Sequence, residues 1–404
     1  MKILIANTLY YPYKIGGAEV SVQLLAESLV KNGHDVHVVT LSDGTLQARE
    51  SINGVHLYRM PIKNIYWPFG DHKPSRLTRL IWHIVDIYNP FSKAAFSRLM
   101  REIAPDILHT NNLAGFSVAL WDAAAKQGIP IAHTARDYYL IHPNSRLYTD
   151  KPQNPNSLSC TLFSAIKKWR SRSVQNFISI SNHVRQQHLS LDFFPDSMSR
   201  VIYNSIRLPP LDLRENFLDS KITLGYLGRI EKPKGIEFLL DTFSELSDQY
   251  NLVIAGTGDN FYTEELKTRY RALNITWLGH TSPAEFFRKI DYLVVPSLWD
   301  EPLGRVVLEA YSYETPVIGS DAGGIPEIIF DGITGTSYQR NSKESFKKAL
   351  SQITSAPYIY LKKSCAEYAR KYSELEVVNI YQDEYIKIAL PKSIQKNKHP
   401  QQLK

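Results

Sequence analysis

Two pairs of charged residues late in the chain have the types and spacing for chemistry at a phosphate ester. Arg229 and Lys234 share the segment GRIEKPKG, and Glu301 and Glu309 stand eight positions apart in PSLWDEPLGRVVLEAYS. An arginine presents a planar fork to two phosphate oxygens and a lysine a mobile point charge, a combination suited to a pyrophosphate leaving group. Two bases in one loop are equally compatible with a solvated surface. On a helix, eight residues separate two carboxylates by roughly 12 Å along the axis and about 80° around it. Such a pair matches the two ends of one nucleotide-sugar, sugar and ribose, with the helix N-terminus facing the phosphates between them. The competing reading is an acidic, solvated helix face. Val306, Val307, Leu308 and Ala310 favour burial of this helix, and a buried Glu309 needs hydrogen-bonding partners.

Near the start, Gly16–Gly17 lies just before a helical pattern, where backbone N–H groups at the positive end of the helix dipole suit a phosphate or a sugar. The alternative is a tight turn. The loop NTLYYPYKIGGAEV lacks GxGxxG, and no acidic residue ends the strand that follows, which argues against a nicotinamide or flavin. His133 closes a predicted strand, either as a site residue or as a strand-end histidine satisfied by hydrogen bonds.

The elements that must position these residues alternate strand and helix. Ile3–Ala6, a helix over Ala18–Lys31 ended by Gly33, and Val36–Thr40 form a βαβ unit. Ile107–His109, Ile129–His133 and Phe177–Ile180 continue it as a doubly wound parallel domain. A second set begins at Thr223–Leu227 and runs through a helix over Ile236–Asp248, strands at Leu252–Ala255, Ile275–Leu278 and Tyr292–Pro296, a helix over Val306–Tyr313 and a strand at Pro316–Gly319. Arg229 and Lys234 then follow the carboxyl end of one strand and Glu301 that of another, where open α/β sheets bind ligands. The expected organisation is 1–205, an N-terminal Rossmann-like domain, and 206–371, a C-terminal Rossmann-like domain. A linker lies near 204–219, a terminal helix over about 372–390 returns to the first domain, and 391–404 is a basic tail expected to be disordered.

The chain has 404 residues, 43% hydrophobic and 22% charged, with two cysteines and a formal charge of +7. Its length fits two or three folded domains, and Cys160 and Cys365 have no CxxC or His-rich company, against a disulfide framework or a zinc site. The charge is uneven: residues 1–205 hold 22 Lys+Arg against 14 Asp+Glu, and residues 206–404 hold 25 against 26. A basic half suggests a polyanionic partner. No targeting segment or membrane span is recognisable, so the expectation is a cytoplasmic protein with peripheral membrane contact at most.

The motifs GGAE (16–19), HTARDYYLIHP (133–143), SISN (179–182), YNS (203–205), GRIEKPKG (228–235), AGTG (255–258), LGH (278–280) and EPLGRVVLE (301–309) together resemble the retaining glycosyltransferases of family 4, from Gly16 to about Gly335. Leu303 and Ser205 depart from the pattern. The resemblance implies a GT-B fold, two Rossmann-like doubly wound α/β domains facing a central cleft, with 1–205 as the acceptor domain and 206–371 as the nucleotide-sugar-binding domain. It implies hexosyl transfer from a nucleotide-sugar, a UDP-sugar ahead of GDP-mannose, with retention of configuration and without metal or other cofactor. By matched position Arg229 and Lys234 would neutralise the diphosphate, Glu309 would hold the ribose and Glu301 the donor sugar. Gly304, Arg305 and Val306 would offer backbone N–H groups, Gly16 and Gly17 would close the site, and His133 would stand beside the anomeric carbon.

For the basic half, Arg76, Arg79, Lys93, Arg98 and Arg101 interleave with apolar residues such as Leu77, Leu80, Trp82 and Phe96, after Tyr66–Trp67–Pro68–Phe69. Bases beside aromatics on amphipathic helices suit an anionic bilayer, and with it a lipid-linked glycan acceptor, as in exopolysaccharide, capsule or lipopolysaccharide assembly. Helices packing on their own domain are the competing reading. Nucleic acid is disfavoured, since no RRM, KH, helix-turn-helix or zinc signature is present. A nucleotide-sugar epimerase, or an inactive nucleotide-sugar-binding protein on the same fold, is the alternative to a transferase.

Overall fold

The computed structural model describes residues 1–13, 16–45, 48–70, 74–149, 151–209 and 221–389. Most of the expected linker and the whole basic tail lie outside these residues. The chain divides into two compact units: Met1–Leu147 with Gln153–Ser205 and the chain from Glu374 on, and Tyr148–Pro152 with Ile206–Ser373.

The first unit begins with β1 (Lys2–Ala6), α1 (Gly17–Lys31), β2 (Asp35–Ser42), β3 (Arg49–Ile52), β4 (Val55–Pro61), α2 (Arg76–Ile87) and α3 (Pro90–Ile103). It continues with β5 (Ile107–Thr110), α4 (Ala119–Ala125), β6 (Ile131–Ala135), α5 (Leu158–Ser171), β7 (Asn176–Ser179), α6 (Asn182–Leu189) and β8 (Met198–Val201). Among the described residues these strands form an eight-stranded sheet ordered β3-β4-β2-β1-β5-β6-β7-β8. All neighbours are parallel except β3 and β4, a hairpin across Asn53–Gly54. Ile3, Ile5, Val36 and Val38 are fully buried, as expected of strands covered on both faces.

The second unit contains β9 (Ile222–Leu227), α7 (Ile236–Phe243), β10 (Tyr250–Ala255), α8 (Asn260–Arg269), β11 (Ile275–Gly279), α9 (Pro283–Phe287) and β12 (Tyr292–Val295). After these come α10 (Arg305–Ser312), β13 (Val317–Ser320), β14 (Gly335–Tyr338), α11 (Lys343–Thr354) and α12 (Tyr358–Lys371). Its described strands make a six-stranded parallel sheet ordered β11-β10-β9-β12-β13-β14. The order reverses at β9, and the loops after β9 and β12, adjacent strands, carry the charged motifs.

The last helix, α13 (Glu374–Ala389), belongs to the first unit. Val377, Val378, Tyr381 and Tyr385 enter the core with Ile3 and Val36. Tyr385 Oη lies 2.7 Å from His109 Nδ1, and Glu384 accepts from Asn176 at 2.8 Å.

Three sequence expectations need adjustment. The helix expected over Ile236–Asp248 stops at Phe243, capped by Ser244. The β3–β4 hairpin, β8 and β14 were not anticipated. Most consequentially, β6 extends through Ala135, because the ladder with β7 carries on to Ala135 opposite Ser179. His133 is therefore the middle residue of its strand rather than the last.

Candidate active site

The carboxyl edge of the second sheet gathers the charged motifs into three ion pairs. Lys234 lies in a single 3₁₀ turn, Lys232–Lys234, directly after the β9 loop. Its Nζ donates to Glu301 Oε1 at 2.6 Å, and the same oxygen accepts from Ser297 Oγ at 2.6 Å. Burial raises the Glu301 carboxyl, but the Lys234 charge and hydrogen bonds from Lys234, Ser297 and Trp299 outweigh it and hold the group below the ordinary carboxylate value. Glu301 is thus a buried, ionised group with a fixed partner. Arg229 Nη1 reaches Glu231 Oε1 at 2.8 Å in a more exposed pair, and its carbonyl accepts from Tyr226 Oη at 2.6 Å. Arg305 Nε donates to Glu309 Oε1 at 2.9 Å, one helical turn along α10.

Backbone approaches too close for a side chain hold this edge together. A Cβ on Gly235, at φ +73°, would lie 1.8 Å from the Pro296 carbonyl oxygen, and one on Gly323, at φ +61°, would lie 2.3 Å from that of Glu301. Only glycine fits either position. Gly324 N–H donates to the same Glu301 carbonyl at 2.8 Å, so the loop after β13 braces the loop after β12. Arg340, following β14, adds a clasp: it pairs with Asp300 at 2.8 Å and Asp321 at 3.1 Å.

α10 opens after Gly304 with no side-chain cap and no acid in its first turn, which leaves its positive dipole end uncompensated by the helix itself. Arg305 and Val306 are half-buried there. Leu303 fills core space at 2% exposure, so the departure from the family pattern is an apolar packing choice. Glu309 is half-buried rather than buried, with 31% of its side chain exposed. Ser297, Gly323 and Arg340 escaped the sequence reading. Their signal was positional, each lying within two or three residues of a strand's carboxyl end.

The first unit presents a different edge. Gly16 and Gly17 are exposed at the start of α1, but Gly16 N–H donates to Glu19 Oε2 at 2.8 Å, so that N–H is occupied within the helix. His133 is 3% exposed. Its ring stacks on Phe194 and meets the edge of Trp121, and Nδ1 lies 2.9 Å from Thr110 Oγ1. Burial, then the charges of His188, His109 and Arg136, hold it well below the ordinary imidazole value and hence neutral. His133 is thus an interior ring of the first unit, where the sequence suggested a strand-end residue.

The residues leaving β6 are instead Arg136 and Asp137. Arg136 donates to Asn111 Oδ1 at 2.8 Å and Asn204 Oδ1 at 2.6 Å. Asp137 accepts from Tyr139 N–H at 2.9 Å, and burial, opposed by that bond and by Lys167, pushes its carboxyl up to about 6. Among the described residues no group of three His, Cys, Asp or Glu side chains is arranged to hold a metal ion, and no helix is long and apolar enough to cross a membrane.

Comparison with known proteins fits this geometry. Residues 15–208 match the model of Glycosyltransferase Family 4, and residues 212–372 match that of Glycosyl transferases group 1. A Klebsiella pneumoniae protein, described as an uncharacterized 42.6 kDa protein in the cps region, is 38% identical over 330 residues, 81% of this chain and 87% of the relative. The alpha-monoglucosyldiacylglycerol synthase of Streptococcus pneumoniae is 25% identical over 84% of this chain and 75% of its own. Among solved structures, sucrose-phosphate synthase from Thermosynechococcus elongatus superposes with a TM-score of 0.74 over 95% of this chain and 98% of its own, at 19% identity. Anabaena HepE in complex with UDP does so at 0.69 over 95% and 99%, at 17% identity. The chain belongs to the family 4, group 1 glycosyltransferases and has their GT-B fold.

Proposed function

We propose that the protein transfers a hexose from a nucleotide-sugar, a UDP-sugar ahead of GDP-mannose, to a glycan or lipid-linked glycan acceptor in the assembly of a bacterial surface polysaccharide. The observation that carries this reading is the Lys234–Glu301–Ser297 cluster, braced by Gly323 beside the uncapped start of α10. The capsule-region relative supports the polysaccharide context, and the glycolipid synthase supports an acceptor with a lipid anchor.

In the reaction the bond from the anomeric carbon to the diphosphate breaks, and the acceptor oxygen bonds to that carbon on the same face. The departing diphosphate takes the acceptor proton. Arg229, Lys234 and the first turn of α10 would stabilise the negative charge as it develops on the leaving group, a task for fixed positive charge and dipoles that needs no metal ion. Glu301, with its carboxyl held below the usual range by Lys234, is a weak base, which supports proton transfer to the leaving group. Glu301 then orients the sugar and Glu309 the ribose.

The test supplies the purified chain with UDP- and GDP-sugars and an oligosaccharide acceptor, then assigns the new linkage by its anomeric proton coupling. A retained anomer, with release of UDP or GDP that survives a metal chelator, is expected. An inverted product, or epimerised donor with no transfer, would overturn the reading.

A further inference from the structure

α2 and α5 pack side by side in the first unit, and each carries two apolar stripes. The inner stripes close on one another: Trp82 and Phe163 are buried, and His83 meets the Phe163 ring edge at 6.5 Å. The outer stripes face solvent. On α2, Leu77, Leu80, Ile81 and Ile84 are 66%, 56%, 43% and 58% exposed. On α5, Leu158, Leu162, Ile166 and Trp169 are 75%, 66%, 44% and 57% exposed. Their spacings, 0-3-4-7 and 0-4-8-11, each keep one helical face. A surface helix ordinarily turns its polar face to water, so a pair of helices doing the opposite marks an interaction surface.

The charges on the two helices are mostly basic, although Lys168 of α5 is paired with the exposed Asp192 at 2.9 Å. The one acid on either helix, Asp86, is 1% exposed. Arg76 and Arg79 flank the α2 stripe and are exposed, while Arg172 follows α5. Arg170 stacks on Trp169 at 3.8 Å. The preceding loop adds an aromatic rim: Trp82 Nε1 donates to the Tyr66 carbonyl at 3.1 Å, and Ile65 and Phe69 are 49% and 39% exposed. Apolar residues flanked by bases and aromatics, on two helices that carry no exposed acid of their own, match the layered chemistry of an anionic bilayer surface.

We infer that the α2–α5 face docks the protein on anionic lipid. The sequence pattern had pointed to residues 76–101. The geometry shifts the surface to α5, because α3 buries Phe96, Leu99 and Met100 and leaves only Phe91, at 71%, as a large exposed apolar side chain. The inference stands apart from the transfer reaction, since it concerns a surface that needs neither donor nor acceptor.

Flotation of the full chain with phosphatidylcholine vesicles, with and without phosphatidylglycerol, tests it. Anionic vesicles should bind at least about tenfold more tightly than neutral ones, and high salt should weaken the binding. Leu80→Gln with Leu162→Gln should lower affinity at least about tenfold, and Arg76→Glu with Arg79→Glu should do the same and flatten the salt dependence. All four positions are exposed, and an unchanged thermal transition would confirm that the variants fold. Absence of anionic-vesicle binding at low salt would overturn the inference. So would a concentration-dependent dimer that the Leu80 and Leu162 changes abolish without affecting vesicle binding. Nucleotide binding is measured separately, so failure of the transferase reading would leave the vesicle result intact.

Discussion

At the carboxyl edge of β9 and β12, Lys234, Arg229 and Arg305 each face a carboxylate. At the corresponding edge of β6, Arg136 is held by two neutral amide oxygens. The same strand-end geometry has been furnished in two ways. An ion pair at a surface can exchange one anionic partner for another, because a diphosphate offers the lysine or arginine what the carboxylate offered. The two amide bonds of Arg136 tie the end of β6 to Asn111 and Asn204 and so fix backbone position within the first unit. The proposed diphosphate site therefore draws on the edge whose cations are already paired with exchangeable carboxylates.

Lys234→Ala breaks the comparison most severely. It removes the cation expected to face the leaving group and strands the buried Glu301 charge. Transfer should fall at least about 10³-fold, and the unfolding free energy should drop by roughly 3 kcal/mol in a denaturant titration, as for a broken buried pair. A Lys234→Ala, Glu301→Gln double variant should recover much of the stability and none of the activity.

Next in size is Gly323→Ala, whose Cβ would enter the space of the Glu301 backbone at a positive φ. A loss of about 1–3 kcal/mol is expected, with transfer reduced on the order of 100-fold through displacement of Glu301. Arg229→Ala should separate activity from stability. Its pair is more than a third exposed on the arginine side, so unfolding should shift by less than about 1 kcal/mol while kcat/KM falls roughly 10–100-fold.

The smallest effect belongs to the neutral core of the first unit. Folded His133 stays unprotonated, whereas in the unfolded chain an imidazole takes up a proton below its ordinary value of 6.5. Stability therefore falls as the pH drops below that value, by about 1.4 kcal/mol per pH unit through this one ring. His133→Asn should remove that increment from the pH dependence of the unfolding free energy between pH 7 and 5. The activity of the folded variant should stay within about threefold of wild type.

How much of this was readable beforehand depended on range. The placement of Arg229, Lys234, Glu301 and Glu309 at and beyond the carboxyl ends of β9 and β12 was legible because it follows local strand–loop–helix spacing. The partners Gly323 and Arg340 were not, because they meet the Glu301 loop only after parallel strands distant in sequence are paired, and Ser297, four residues before Glu301, meets it only through the turn of their shared loop. His133 was misplaced by two residues, since the end of β6 is set by its ladder with β7 and not by its own composition. The exposed face of α5 was hidden for another reason. LSCTLFSAIKKWRS contains two apolar stripes at helical spacing, and periodicity alone does not say which of them turns inward.

The central claim, that the second unit holds a nucleotide-sugar through its diphosphate, is tested most directly by calorimetric titration of UDP and GDP into the wild type and into Lys234→Ala, Arg229→Ala and His133→Asn. One nucleotide should bind the wild type, each basic-residue variant should weaken it at least about tenfold, and His133→Asn should leave it unchanged. Binding that survives loss of both Arg229 and Lys234, or that falls as far with His133→Asn as with Lys234→Ala, would contradict the account.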